Sequence, residues 1–186
     1  TIAVNMDNSA FLEDDGSLLF RPAGHGALLE NLNDIEADLI FIKNVDNVVP
    51  DRLKGPTKTY KMAIAGLLLE VQEKIFEALR AMDADLSHES VGQAIKVYNE
   101  DLGGQIPPTA SAENLQELAN FLRGKLNRPI RVCGMVKNTG EPGGGPFWVR
   151  DSKGTVSLQI VEPSQIDMAN ADQARILANA THFNPV

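Results

Sequence analysis

A loop with two glycines and a histidine lies early in this 186-residue sequence, at Ala23, Gly24, His25 and Gly26. Glycine lets the backbone approach a ligand closely, and the apolar spacing of residues 27–33 predicts a short helix directly after the loop. The free N–H groups at the start of a helix can hold polar or anionic atoms. The loop is therefore a candidate nucleotide-binding segment; the alternative is a tight turn with a solvated histidine.

A carboxylate flanked by two amides follows at Asn44, Asp46 and Asn47. Oxygen atoms of this kind are ligands for a hard cation such as Mg²⁺, which would in turn bridge to phosphate. Asp46 is therefore the candidate metal ligand and catalytic residue, with Asn44 and Asn47 beside a nucleotide. The alternative is that Asp46 caps a turn and that the asparagines satisfy loop backbone.

A run of three glycines, Gly143, Gly144 and Gly145, forms the third candidate segment. Backbone without side chains can cradle a phosphate or a sugar. The same run is also typical of a loop that only turns a hairpin, and the sequence leaves both interpretations open.

The first two loops need a sheet that places them together. The apolar runs 17–20 and 39–42 are predicted to be buried strands, and the order strand, loop, helix, strand is typical of a βαβ unit with parallel strands. Parallel strands end at one edge of a sheet, and ligands bind at that edge in open α/β folds. We therefore expect both loops to lie side by side.

The middle of the chain has helical periodicity. Apolar residues at steps of three and four predict a long amphipathic helix over 57–86, and two shorter helices follow near 89–100 and 112–126. We expect 52–128 to be a helical insertion in a single α/β domain over 1–186, a fragment of a longer protein. The long helix packs within the molecule; the alternative is a homodimer formed through it.

Sheet periodicity returns after the insertion. Residues 130–136 and 147–149 are predicted strands, 151–154 a hairpin turn, and 155–161 a strand of alternating apolar and polar residues. A helix near 169–180 and a strand beginning at 182 complete the pattern. The fold class expected is α/β, a mostly parallel, mixed Rossmann-like sheet.

The composition excludes several classes of protein. With 17 basic and 25 acidic residues the formal charge is −8, which argues against a general nucleic-acid binder. No apolar run approaches the ~20 residues of a membrane-spanning helix. The single cysteine, Cys133, allows no internal disulfide and favours a cytoplasmic setting. The sequence patterns of P-loops, of dinucleotide-binding loops and of hydrolase nucleophile elbows are absent.

The motif from Gly24 to Gly26, followed by that from Asn44 to Asn47, resembles the nucleotide-binding and metal-site loops of the UDP-sugar pyrophosphorylases. The segment at Glu162 is similar to the sugar-site segment of those enzymes, and the segment at Asn184 to their later Phe-Asn segment. Over nearly its whole length, the chain resembles a bacterial family of unknown function allied to the nucleotide-diphospho-sugar transferase superfamily. The resemblance implies a sheet of that superfamily's GT-A-like type.

The resemblance also implies a reaction, in which a nucleotidyl group passes from a UTP-like nucleoside triphosphate to a sugar 1-phosphate and pyrophosphate leaves. Asp46 would hold Mg²⁺, residues 23–26 would place the base, and the sugar would face Gly143, Gly144, Gly145, Glu162 and Asn184. The partners expected are therefore a nucleoside triphosphate with a sugar phosphate, or a nucleotide sugar.

The chain departs from the pyrophosphorylases ahead of the first two motifs. Those enzymes carry a Gly-rich loop with Arg and Lys ahead of these motifs, and this chain has none. The alternatives are a glycosyltransferase of the same fold and a non-catalytic nucleotide-sugar-binding or regulatory protein.

Overall fold

Helices make up most of the regular structure in the computed structural model, which describes residues 1–22, 25–107, 114–141, 143–152 and 154–185, with residues 25, 27 and 46 described by their backbone alone. The α-helices are α1 (Leu29–Asn33), α2 (Lys54–Ala84), α3 (His88–Lys96), α4 (Leu115–Leu126) and α5 (Ala171–Ala178). A π-helical turn, Val97–Asp101, continues α3. The described chain holds no helix with both the length and the apolar character needed to cross a membrane.

The helices agree with the sequence periodicity. The predicted long helix is confirmed as α2, whose buried residues Val71, Ile75, Ala78 and Met82 follow the steps of three and four. Helices α3, α4 and α5 lie where the pattern placed them.

Four short strands complete the regular structure: β1 (Val136–Lys137), β2 (Gly145–Arg150), β3 (Val156–Val161) and β4 (His182–Phe183). Strand β2 pairs antiparallel with β3, with Trp148 opposite Leu158, and β1 pairs antiparallel with β4, with Lys137 opposite His182. The predicted hairpin is confirmed, and its turn closes at Gly154, whose φ of 81° favours glycine.

The expected mostly parallel, Rossmann-like sheet is wrong. The strands of the described chain form two separate two-stranded antiparallel sheets. Residues 39–42, predicted to be a buried strand, form no strand, and Ile40, Phe41 and Ile42 are exposed. An apolar run of four residues does not define a strand by itself, because a strand also needs a partner with free backbone groups.

The partner expected for 39–42 is engaged locally. Isolated antiparallel bridges join Leu12 to Leu18 and Ile2 to Phe20, and the backbone N–H of Arg21 donates to Thr1 O at 2.9 Å. A turn at Gly16, with a φ of 82°, lets this segment fold back on its own neighbours. Such short-range antiparallel pairing closes a small loop, whereas a parallel partner requires a long crossover connection.

Two units divide the chain, Thr1–Ile42 and Lys43–Val186. The second unit contains the segment 52–128 and a hydrophobic core built by α2, α3, the π-helical turn and α4. Its buried apolar residues are Val71, Ile75, Ala78, Met82, Val91, Ala94, Val97, Tyr98, Leu118, Ala119, Leu122 and Leu126. The core of the second unit therefore lies in the predicted insertion.

A capping box fixes the start of α3 at its junction with α2. The Ser87 hydroxyl accepts from the Ser90 backbone N–H at 3.3 Å, and the Ser90 hydroxyl accepts from the Ser87 N–H at 3.1 Å. The Ser90 hydroxyl also donates to Asp85 O at 2.7 Å. These bonds satisfy backbone groups that would otherwise lack partners at the first turn of the helix.

Replacing Ser87 with alanine is expected to lower the free energy of unfolding by about 1 kcal/mol, within the ~0.5–2 kcal/mol typical of a lost N-cap. Urea unfolding followed by circular dichroism measures the change. The exposed Ser164 provides a control, since alanine there should alter stability by less than about 0.5 kcal/mol. Equal losses in the two variants would contradict the capping role of Ser87.

Candidate functional site

The glycine run is tied to the end of the chain by Asn184. The backbone N–H of Asn184 donates to Gly144 O at 2.7 Å, and its side-chain Nδ2 donates to Gly134 O at 2.9 Å. Asn184 is buried, so both bonds lie away from water. Asn184 therefore joins two loops, the one at Gly134 through its side chain and the glycine run through its backbone.

Close packing explains why this run consists of glycines. A Cβ on Gly144 would lie 2.8 Å from Glu162 Oε1 and 2.9 Å from Ile160 Cγ2. A Cβ on Gly145 would lie 3.1 Å from His182 O and 3.2 Å from Phe147 Cε2. Because it has no side chains, the run can come close to these neighbours in the chain itself. The sequence predicts this kind of close approach, but toward a ligand.

The loop predicted to bind the metal, residues 44–47, is hydrogen-bonded to the segment that contacts the glycine run. Asn47 Nδ2 donates to Pro185 O at 2.7 Å, and Pro185 directly follows Asn184. Two hydrogen bonds of 2.7 Å thus connect the loop at Asn47 to Gly144 through adjacent residues.

Two cavities open beside the glycine run. The first, of about 110 Å³, is lined by Asn138, Glu141, Gly143, Gly145, Phe147, Val161, Pro163, Leu177, Ala180, His182 and Phe183. The second, of about 230 Å³, is lined by Pro146, Phe147, Ile176, Asn179, Ala180, Thr181 and His182. Both volumes are smaller than the roughly 300–1,000 Å³ of pockets that enclose a drug-sized ligand.

Glu141 is the charged side chain at the first cavity. Its carboxylate accepts from the Thr139 backbone N–H and from the Thr139 hydroxyl, each at 3.0 Å. The backbone bond from Thr139 is the main cause that lowers the pKa of Glu141 below its usual value. Glu141 is thus held as a carboxylate near Gly143.

His182 lies at both cavities. Its Nδ1 and the Thr181 hydroxyl are 2.9 Å apart, which fixes the orientation of the ring. The main chain around it is held by β1 and by a bond from Asn138 N to Thr181 O at 2.9 Å. The ring can therefore offer a hydrogen-bonding nitrogen at a defined place.

The structure brings some of the predicted site residues together. Gly143 and Gly145 line the first cavity, while Gly144, Glu162 and Asn184 form the packing beside it. Asn44 and Asn47 belong to the second unit, and the Asn47 N–H donates to Asn44 O at 3.1 Å.

The remaining predicted residues are those of the glycine–histidine loop and Asp46. Ala23 and Gly24 lie outside the described residues. The backbones of His25 and Gly26 form a 3-10 turn in the first unit, and the Asp46 backbone lies in the 3-10 turn Val45–Asn47 of the second. The two loops expected on one sheet edge thus belong to different units.

Comparison with known protein families identifies the family of the chain. A family described as a domain of unknown function, DUF4301, matches residues 1–186. The chain belongs to this family. No curated protein and no solved structure matches it.

Sequence reasoning missed several residues of the site in this DUF4301 chain. Asn138, Glu141, Phe147 and His182 all line a cavity, and none was predicted to bind a ligand. A signal was present for two of them, since Asn138 and Glu141 flank a turn just ahead of the glycine run. Phe147 lies in β2 and His182 in β4, and the two residues line the same cavity only in the folded chain. The sequence offers no such signal for them.

Among the residues whose side chains are described, no group of three or more His, Cys, Asp or Glu could hold a metal ion. Magnesium, however, often takes one or two carboxylates and completes its shell with phosphate oxygens and water. Asp46, whose side chain lies outside the described part of the structure, stays the predicted metal ligand.

Proposed function

We propose that this DUF4301 chain is nucleotidyltransferase-like and acts on sugar nucleotides. It binds a UTP-like nucleoside triphosphate and a sugar 1-phosphate, and transfers the nucleotidyl group with release of pyrophosphate. The cavity beside Gly143 and Gly145 takes the sugar, and the loop that carries Asp46 takes the phosphates.

The observation that carries the proposal is the link between the two loops. Asn47 and Gly144 are far apart in the sequence, yet the bonds from Asn47 to Pro185 O and from Asn184 to Gly144 O bring their segments together. In a sugar 1-phosphate the phosphate is attached directly to the ring. The site for the sugar and the site for the phosphate must therefore be adjacent. The juxtaposition supports a ligand that spans both loops.

In the proposed reaction, an oxygen of the sugar 1-phosphate attacks the α-phosphorus, and the bond to pyrophosphate breaks. The contributions of the protein are positioning and neutralisation of charge. Backbone groups of Gly143 and Gly145, with the Asn138 amide, orient the sugar. Asp46 would hold Mg²⁺, which neutralises phosphate charge when bound.

A non-catalytic nucleotide-sugar-binding protein is the second candidate. The observation in its favour is that no Lys or Arg is among the described residues that line the two cavities. Lys and Arg commonly hold the phosphates of a bound triphosphate, so the two cavities by themselves suit a sugar that is bound without turnover. Release of pyrophosphate from UTP and glucose 1-phosphate distinguishes the candidates, because only the transferase forms it.

Replacement of Asp46 by asparagine tests the metal and nucleotide roles together. In the unsubstituted protein, UTP at one hundred times its dissociation constant should raise the free energy of unfolding by about 2.7 kcal/mol in the presence of Mg²⁺. Because a neutral amide is a weaker ligand for a hard cation, the Asp46→Asn protein should lose the Mg²⁺-dependent part of this gain. Thermal unfolding with and without Mg²⁺ measures it.

The control is Asp51→Asn, an exposed carboxylate paired with Lys54 in the following turn. This variant should keep the full effect of Mg²⁺ and UTP. An Asp46→Asn protein that responds to Mg²⁺ and UTP as the unsubstituted protein does would contradict the metal role. Failure of UTP and of UDP-glucose to stabilise the unsubstituted protein would overturn the proposed function.

A further inference from the structure

The two cavities adjoin, because Phe147, Ala180 and His182 line both of them. Their volumes of about 110 and 230 Å³ are each below the ~300 Å³ at which pockets begin to enclose a drug-sized ligand. Each compartment is therefore too small for a whole nucleotide sugar and has space for one ring at most. The pair forms a groove with the Phe147 and His182 side chains at its middle.

The chemistry of the groove suits an uncharged ring with hydroxyl groups. Amides of Asn138 and Asn179 and the imidazole of His182 are hydrogen-bonding groups, while Phe147 offers an aromatic wall. A sugar ring has both kinds of surface, since its hydroxyls lie at the edge and its C–H bonds cover the faces. Aromatic rings carry a negative face that attracts such C–H groups.

The charge of the groove comes from Glu141. Thr139 donates to both carboxylate oxygens of Glu141, and Oε1, which accepts one of these bonds, keeps a further lone pair that can accept from a sugar hydroxyl. Lys137 lies opposite His182 in the β1–β4 register, but its side chain is exposed and lines neither cavity. A second carboxylate in the groove would therefore meet a fixed negative charge.

We infer that the groove selects an uncharged hexose and that Glu141 disfavours a hexuronate, a sugar of the same size with a carboxylate. Glu141 is then a specificity-determining residue whose carboxylate accepts from a neutral sugar and repels an acidic one. This inference rests on the proposed function, because it concerns the sugar of the same nucleotide sugar.

Binding of UDP-glucose and of UDP-glucuronate to the 186-residue protein tests the inference, since the two ligands differ only in the group on one carbon of the sugar. Isothermal titration calorimetry should show UDP-glucose binding about three- to tenfold more tightly, the range expected for two charges several ångströms apart near water. In the Glu141→Gln protein the preference should fall below about twofold, through tighter binding of UDP-glucuronate. Circular dichroism checks that the variant is folded.

The exposed carboxylate Glu77, in α2, supplies the matched control, and Glu77→Gln should keep the full preference for UDP-glucose. Equal affinities of the unsubstituted protein for the two ligands would overturn the inference and leave the proposed function standing. Weaker binding of both ligands to Glu141→Gln, with the preference retained, would also overturn it. Binding of neither ligand to the unsubstituted protein would overturn the inference and the proposed function together.

Discussion

Alanine at Gly104 is expected to destabilise the second unit by about 3 kcal/mol or more, at the upper end of what overpacking costs. The added Cβ would lie 2.6 Å from Tyr98 Cε1 and would overlap the neighbouring ring atoms more closely. The ring has little room to move, since Tyr98 is buried and packs edge-on against Phe121 at 5.8 Å between centroids. Chemical unfolding followed by circular dichroism measures the loss.

Two variants give the controls for this result. Gly92→Ala, inside α3 with nothing within 4 Å of the added Cβ, should stabilise the protein by about 0.5–1 kcal/mol because alanine favours a helix. Removing the ring in Tyr98→Ala should make alanine at position 104 less harmful, so that the double variant loses less than the two single losses added. Additive losses would show that the ring is not the cause.

Truncation of Leu122 to alanine is expected to cost about 2–5 kcal/mol, the range for a buried leucine that leaves a cavity. Leu122 lies in the middle of α4 and is 0% exposed, among residues of α2 and α3. Because residues of several elements surround Leu122, the movement of one neighbour would not fill the cavity that the truncation leaves. The free energy of unfolding in urea measures the change.

The same truncation at Leu69 is the control, because that side chain is 54% exposed on α2. Its loss should stay well below 1 kcal/mol, since little apolar contact is removed and alanine favours the helix. Losses of similar size at both positions would contradict a core centred on α4.

The helices could be predicted because their signal is local. The spacing of Val71, Ile75, Ala78 and Met82 places apolar side chains on one face of α2, and no distant residue is needed to see it. The hairpin β2–β3 was also predictable, since alternation in residues 155–161 follows a turn that ends at Gly154. Both signals lie within a window of a few turns or one hairpin.

The sheet could not be predicted from the same kind of signal. Residues 39–42 are apolar enough for a buried strand, but strand formation depends on a partner elsewhere in the chain. The partner expected, residues 17–20, pairs with residues 1–3 and 11–13 instead. Whether a segment pairs locally and antiparallel or with a distant parallel strand depends on the whole chain. An apolar run of four residues does not predict which pairing forms.

The candidate site was predictable in part for a related reason. Glycine at positions 143–145 marks a place where backbone comes close to something, and in the structure the close neighbours include Glu162 and Phe147. The identity of those neighbours depends on pairing between strands. Phe147 and His182 therefore emerged only from the folded chain. The link of Asn47 to Pro185 was also unpredictable, because it depends on a single side-chain hydrogen bond that no periodicity encodes.

Trp148 gives the protein an optical reporter of its own. It is the only tryptophan in the sequence, and its ring lies against Gly103, with Cη2 3.0 Å from the Cβ position there. Trp148 is 57% exposed, and only the ring edge at Gly103 is covered. A change in indole emission when water reaches that edge therefore reports whether the hairpin rests on this segment. Circular dichroism is dominated by the long helices instead. Coincident transitions in the two signals would show that hairpin and helices unfold as one cooperative unit, and separate transitions would reveal a state in which the helices persist alone.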